Sequence, residues 1–182
     1  MEADHDFSAY QAQDSELTLR EGIEEYFARN PGLTKVTPGD PSAELFLPHD
    51  ACHVLFGTNT SLVEEGMTDM WTLLGSDVGL RRYAGFTKYL AEIDPEGLSR
   101  KFGYLRMTAH FFFGVPAMLR ATWRGWRMTK KWCWDDYEAQ LGQTLGELRR
   151  EHGIKVLRAP GWSLAATAVG PEPHQLDAPR ST

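Results

Sequence analysis

The sequence has only two cysteines, Cys52 and Cys133, and neither belongs to a Cys-x-x-Cys pair. That excludes a disulfide framework, a zinc ribbon and a thioredoxin-like redox motif, and it suits a reducing cytoplasm. Lysine and arginine are missing from residues 1–15, which carry Glu2, Asp4, Asp6 and Asp14 instead. A secretory signal needs a basic start and an apolar run, and a transit peptide needs arginines, so neither is expected. Long apolar runs are lacking too. The longest, 111–119, is interrupted by Gly114 and Pro116 and falls far short of the roughly 20 residues that cross a bilayer. Strand signals are almost absent, limited to 154–157, and no internal repeat is found.

What is there is a chain of ordinary globular composition, 42% hydrophobic and 24% charged. Its 182 residues fit one domain whose core needs no staples. Acids outnumber bases 25 to 19, for a formal charge of -6, so the chain as a whole is a poor nucleic-acid binder. Leu19, Ile23, Tyr26 and Phe27 recur at helical spacing and predict a helix over 16–29, stopped by Asn30-Pro31-Gly32. Pro38, Gly39, Pro41 and Pro48 predict an extended connection over 37–48. Further helices are expected over 49–56, 61–74, 77–92, 97–113, 116–129 and 135–151, with breaks at Gly57, Gly75, Pro95, Gly114 with Pro116, and Gly153. The expected fold is all-α, a single-domain helical bundle over 16–158. Residues 1–15 and the proline-rich tail 159–182 are expected to be disordered.

The cluster His49-Asp50-Ala51-Cys52-His53 carries the chemistry. On a helix, His49 and His53 project from one face a turn apart, and Asp50 shares their sector. Gly57 stands where a left-handed helix end belongs, and Ser61 with Glu64 forms a capping box for the next helix. A reversal between them brings Glu65 level with His53, because each lies four residues from the turn. Two histidines and one carboxylate then close a metal site across a helical hairpin, with a coordination position left open. Asp50 has three readings: a fourth ligand, an acceptor for an imidazole N–H, or an acid/base group. The same residues would also serve a capped, salt-bridged helix pair holding no metal.

His49-Asp50-x-x-His53, eleven residues and then Glu65 resembles the signature of the Coq-four family of ubiquinone (coenzyme Q) biosynthesis proteins, His-Asp-x-x-His-x11-Glu. The run His53-Val-Leu-Phe-Gly57 and the stretch from Trp132 to His152-Gly153-Ile154 are similar to that family as well, so the resemblance covers about 16–157. It implies an all-helical fold and a divalent ion, zinc or alternatively iron, held by His49, Asp50, His53 and Glu65. It also implies a prenylated aromatic lipid as ligand, peripheral attachment to the inner face of the membrane, and other ubiquinone-biosynthesis proteins as partners. A second copy of the chain is a further expected partner. The implied role is that of a lyase-type C1 decarboxylation and hydroxylation of a polyprenyl-hydroxybenzoate, with Asp50 as the proton-transfer group. The alternatives are a non-catalytic lipid-binding scaffold for the pathway enzymes and a metal-dependent phosphohydrolase of the His-Asp type. The last needs an upstream histidine, and only His5 lies upstream.

A basic, aromatic window complements this site. Residues 97–134 hold eight Lys plus Arg and no Asp or Glu, which leaves 11 bases against 25 acids in the rest of the chain. Trp123, Trp126, Trp132 and Trp134 are interleaved with these cations. That composition fits a membrane-surface helix, a solvated helix face pairing with the acidic remainder, or a base-stacking surface. Nucleic acid is the reading set aside. Cys52 is expected to be a small core residue and His110 a core or pocket histidine, while His5, His152 and His174 look incidental. Met107, Met118 and Met128, with nearby Gly and Ala, fit either a prenyl-chain cavity or ordinary packing.

Overall fold

The computed structural model describes residues 7–33, 36, 43–85 and 104–157, with side chains from 114 onward in the last stretch. Among the described residues the regular structure is helical and no strand occurs, only the isolated bridges Thr18 to Thr144 and Ser76 to Trp132. The helices are α1 (Leu19–Arg29), α2 (Ala43–Phe56), α3 (Leu62–Gly75), α4 (Tyr104–Trp126) and α5 (Leu145–His152). A further helical segment starts at Leu80 and is described as far as Gly85. The expected all-α class is therefore what the chain adopts. The expected disordered tail, most of the connection before Ala43 and the stretch 86–103 lie outside the described residues, and with that stretch go the second part of the helix expected over 77–92 and the first part of that expected over 97–113.

Helix α1 starts where Thr18 accepts the Glu21 N–H and Glu21 in turn accepts the Thr18 N–H at 2.8 Å, a reciprocal cap that satisfies two orphan donors. Helix α2 corrects the extended reading of its first turn, because it begins at Ala43 and passes through Pro48. A proline there removes one backbone bond. Burial of Pro48, His49 and every residue from Ala51 to Phe56 offsets that loss and makes α2 the central helix. Helix α4 likewise crosses Gly114 and Pro116, where two helices are expected. Gly114 faces Val63 and Gly125 faces Trp71, so the missing side chains admit α3 closely. The helix expected over 135–151 is divided. A short 3-10 turn, Glu138–Gln140, precedes α5, which starts afresh because Thr144 caps the Glu147 N–H.

The start of the chain also departs from expectation. A 3-10 turn at Ala9–Gln11 is held by Glu25, whose carboxylate accepts the N–H groups of Ala9 and Tyr10 at 2.8 and 2.9 Å. Tyr10 is buried and its hydroxyl donates to the Thr58 carbonyl at 3.0 Å. A hydrophobic anchor with a satisfied polar tip outweighs the acidic composition that predicts disorder.

Trp71, stacked on Phe56 with centroids 5.0 Å apart, and the buried Trp132 and Trp134 fill the core. Met118 packs against Gly66 and Gly114, and Met128 against Gly75, so these methionines pack helix against loop and helix as ordinary filler.

Candidate metal centre

Helix α2 ends in a Schellman turn. Gly57 has φ of 74°, its N–H donates to Val54, and the Thr58 N–H donates to the His53 carbonyl at 2.9 Å. A Cβ at Gly57 would also lie 2.9 Å from the Val156 side chain, so glycine is required twice over. Helix α3 then starts as the sequence implies. Ser61 accepts the Glu64 N–H, and the Glu64 carboxylate accepts the Ser61 hydroxyl at 2.7 Å and the Asn59 N–H at 3.2 Å. This pair of caps sets the register of the hairpin.

The register brings His49, His53 and Glu65 together, with one ligand atom of each within 4.8 Å of the others. His53 Nε2 lies 3.2 Å from Glu65 Oε2, and the two imidazole centroids are 4.9 Å apart. Both histidines are buried. Behind His53, Nδ1 is 3.3 Å from the hydroxyls of both Thr58 and Thr68. Thr68 donates its proton to the Glu64 carbonyl at 2.9 Å, so its oxygen accepts the Nδ1–H of His53. The network thus assigns the tautomer that leaves Nε2 with a lone pair toward Glu65 in the neutral ring. Tyr26 stacks on the same ring, centroids 5.4 Å apart, and limits its rotation.

The charges of the pair are coupled. Burial works to depress the His53 pKa, yet the Glu65 carboxylate beside it holds it above the ordinary imidazole value. Burial likewise pushes the Glu65 carboxyl up, and the facing His53 outweighs it and holds Glu65 low. A divalent cation bound here would take over the favourable interaction with Glu65 that a proton on His53 otherwise provides. Buried imidazole nitrogens and a carboxylate oxygen are the donor set of a borderline divalent ion, so these residues fit one.

Neither Asp50 nor Asp69 is among the grouped ligand atoms. Asp50 lines a neighbouring cavity of about 510 Å³ together with Arg20, Ile23, Phe27, Leu47 and Leu141. Its carboxyl is pushed up to about 7, chiefly by burial, with His49 opposing and Glu65 adding to the rise. Cys52 is fully buried and its thiol is pushed up to about 12 by burial, as expected of a core residue. His110 lies outside the described side chains. His152, read as incidental, is buried with Nδ1 3.1 Å from the Lys130 carbonyl, a role in holding the loop to α5.

Sequence reasoning misses Asp69 and Tyr83. Asp69 Oδ1 lies 3.6 Å from His49 Nε2 and accepts the Tyr83 hydroxyl. Asp69 stands one helical turn beyond Glu65, a spacing that was legible, but its partner Tyr83 arrives from the next segment and only the fold reveals it. Comparison of the chain with protein-family models, curated proteins and solved structures finds no match.

Proposed function

We propose that this protein binds one divalent metal ion, zinc by preference, through His49, His53 and Glu65, and acts with it on a prenylated aromatic lipid at a membrane surface. The step we assign is C1 decarboxylation or hydroxylation in ubiquinone biosynthesis. The observation that carries the reading is the convergence of the three ligand atoms within 4.8 Å of one another on a capped helical hairpin. The choice of pathway rests on the resemblance of His49-Asp50-x-x-His53-x11-Glu65 to the Coq-four signature.

When bound, a divalent ion supplies Lewis acidity toward a ring carboxylate or phenolic oxygen. The chain's own residues do the rest. Thr58 and Thr68 hold His53 in its ligating tautomer. Ile23, Phe27, Leu47 and Leu141 offer apolar surface to the ring and exclude water, in a cavity of a size that suits small organic ligands. Asp50 in the cavity wall, its carboxyl pushed up to about 7, is poised between its protonated and ionised forms near neutral pH and can deliver a proton or take it back.

Support for the membrane surface comes from α4, where Leu119, Trp123 and Trp126 recur at i, i+4 and i+7 and are 62%, 53% and 71% exposed. Arg127 lies over the Trp123 ring at 5.5 Å, and Arg120 is exposed alongside. Tryptophan and arginine on one exposed face suit an anionic lipid headgroup layer. No helix among the described residues is long and apolar enough to cross a membrane.

Elemental analysis of the purified protein tests the centre. One divalent ion per chain is expected, lost in the His49→Ala, His53→Ala double variant. Full metal content in that variant would sink the assignment. Product formation from a prenylated hydroxybenzoate, measured with and without partner enzymes, then separates catalysis from a scaffold that only presents the lipid.

A further inference from the structure

Resting on that metal reading, we propose that Asp69 is a fourth protein ligand, giving a two-histidine, two-carboxylate set whose last member is oriented by Tyr83 and to which a substrate oxygen would add as a fifth donor. The argument begins with register. His49 and His53 are one turn apart on α2, and Glu65 and Asp69 are one turn apart on α3. Because the chain reverses between the helices, His53 faces Glu65 and His49 faces Asp69, two cross-helix pairs in one antiparallel ladder. A turn of α-helix rises about 5.4 Å on each side, so the two pairs stay in step.

The separations match coordination. Zinc bonds of about 2.0 to 2.2 Å at tetrahedral angles place adjacent ligand atoms roughly 3.3 to 3.6 Å apart. The two cross-helix separations in the structure are 3.2 Å for His53 Nε2 to Glu65 Oε2 and 3.6 Å for His49 Nε2 to Asp69 Oδ1. Both are already near the length of a tetrahedral edge. Asp69 also interacts electrostatically with His49, His53 and Glu65.

Tyr83 supplies the orientation. Its hydroxyl donates to Asp69 Oδ1, and its ring is buried edge-on against Trp134 with centroids 6.4 Å apart. A tyrosine anchored in the core fixes a ligand carboxylate in the way that outer hydrogen-bonding groups fix metal ligands elsewhere. The set of two nitrogens and two hard oxygens suits zinc, iron(II) or manganese(II), and contains no thiolate that would favour soft ions. Asp50, on the cavity side of α2, stands apart from this ladder.

The experiment titrates Zn(II) and Co(II) into metal-free full-length protein against a chelator and records the Co(II) absorption spectrum. Wild type, Asp69→Asn, Asp69→Ala, Tyr83→Phe and His53→Ala are compared, with circular dichroism as the check on folding. Asp69→Asn and Asp69→Ala should lower affinity at least tenfold and move the Co(II) bands, and Tyr83→Phe should lower it about threefold to tenfold. A folded Asp69→Asn with wild-type affinity and spectrum, while His53→Ala loses the ion, overturns the fourth-ligand assignment and leaves the centre itself standing. A wild type that binds neither ion overturns both.

Discussion

At the scale of single residues, Asp50 combines a place beside the metal-site histidines with a buried carboxyl. It follows His49 directly, yet it opens onto the adjacent cavity. Its carboxyl, ordinarily near 3.8, is pushed up to about 7 in the folded protein. A folded-state value above the unfolded one means that the folded state binds the proton more tightly. Asp50 is therefore least costly at low pH, and its cost grows as pH rises from about 4 to about 7 and is constant above that. Asp50→Asn, nearly isosteric and uncharged, removes this dependence. In urea unfolding of the metal-free protein, the variant should gain on wild type by roughly 2 to 3 kcal/mol between pH 5 and pH 8, at about 1.4 kcal/mol per pKa unit. Parallel stability curves would show that the carboxyl is not buried as its environment implies.

At the scale of elements, α4 divides its tryptophan-rich neighbourhood into two functions. Trp132 and Trp134, just beyond the helix, are wholly buried, so of the four tryptophans in the basic window Trp123 and Trp126 are the exposed pair. The face they share with Leu119 should bind vesicles of anionic lipid. Flotation is expected at low salt and should weaken in about 0.5 M salt, where the screening length is only a few ångströms. Trp123→Ser with Trp126→Ser should weaken binding at every salt concentration by removing the apolar contribution, whereas Arg120→Glu with Arg127→Glu should abolish mainly the salt-sensitive part. No flotation of wild type at low salt would refute the membrane face. Arg124 is excluded from this set because its guanidinium donates to the carbonyls of Lys155 and Val156.

At the scale of the whole molecule, Arg149 connects parts of the chain remote in sequence. Fully buried on α5, it donates to the carbonyls of Tyr10, Ala12, Val54 and Leu55. Val54 and Leu55 lie in the last turn of α2, where a cation is favoured. Burial depresses the guanidinium pKa only to about 10, so the charge persists at neutral pH. Arg149→Met removes a donor from all four carbonyls; Val54 and Ala12 keep a backbone N–H from Gly57 and Ser15, while Tyr10 and Leu55 lose their partner at about 1 to 3 kcal/mol each where water cannot replace it. The expected outcome is a loss of at least about 3 kcal/mol in denaturant unfolding, or failure to fold. Arg149→Lys should recover little of it, since one ammonium cannot reach carbonyls spread around a planar fork. A loss below about 1 kcal/mol for Arg149→Met would show that the four bonds are not needed to hold the chain start, α2 and α5 together.

Local chemistry alone determined the helical class, the turn at Gly57, the Ser61 cap and the meeting of His53 with Glu65. Each depends on residues within a turn or two of one another, where helical spacing and capping decide the geometry. Burial decided the rest. Pro48 and Pro116 read as breaks in the sequence but lie inside helices, because packing of their surroundings outweighs one lost backbone bond. Tyr10 orders a segment whose composition reads as loose, by reaching Thr58 across 48 positions. Asp69 gains its tyrosine partner only once Tyr83 has packed against Trp134, and Asp50 its cavity only once α1 and the stretch before α5 close over α2. Those contacts join residues far apart in the chain, and spacing along a sequence carries no information about which of them will meet.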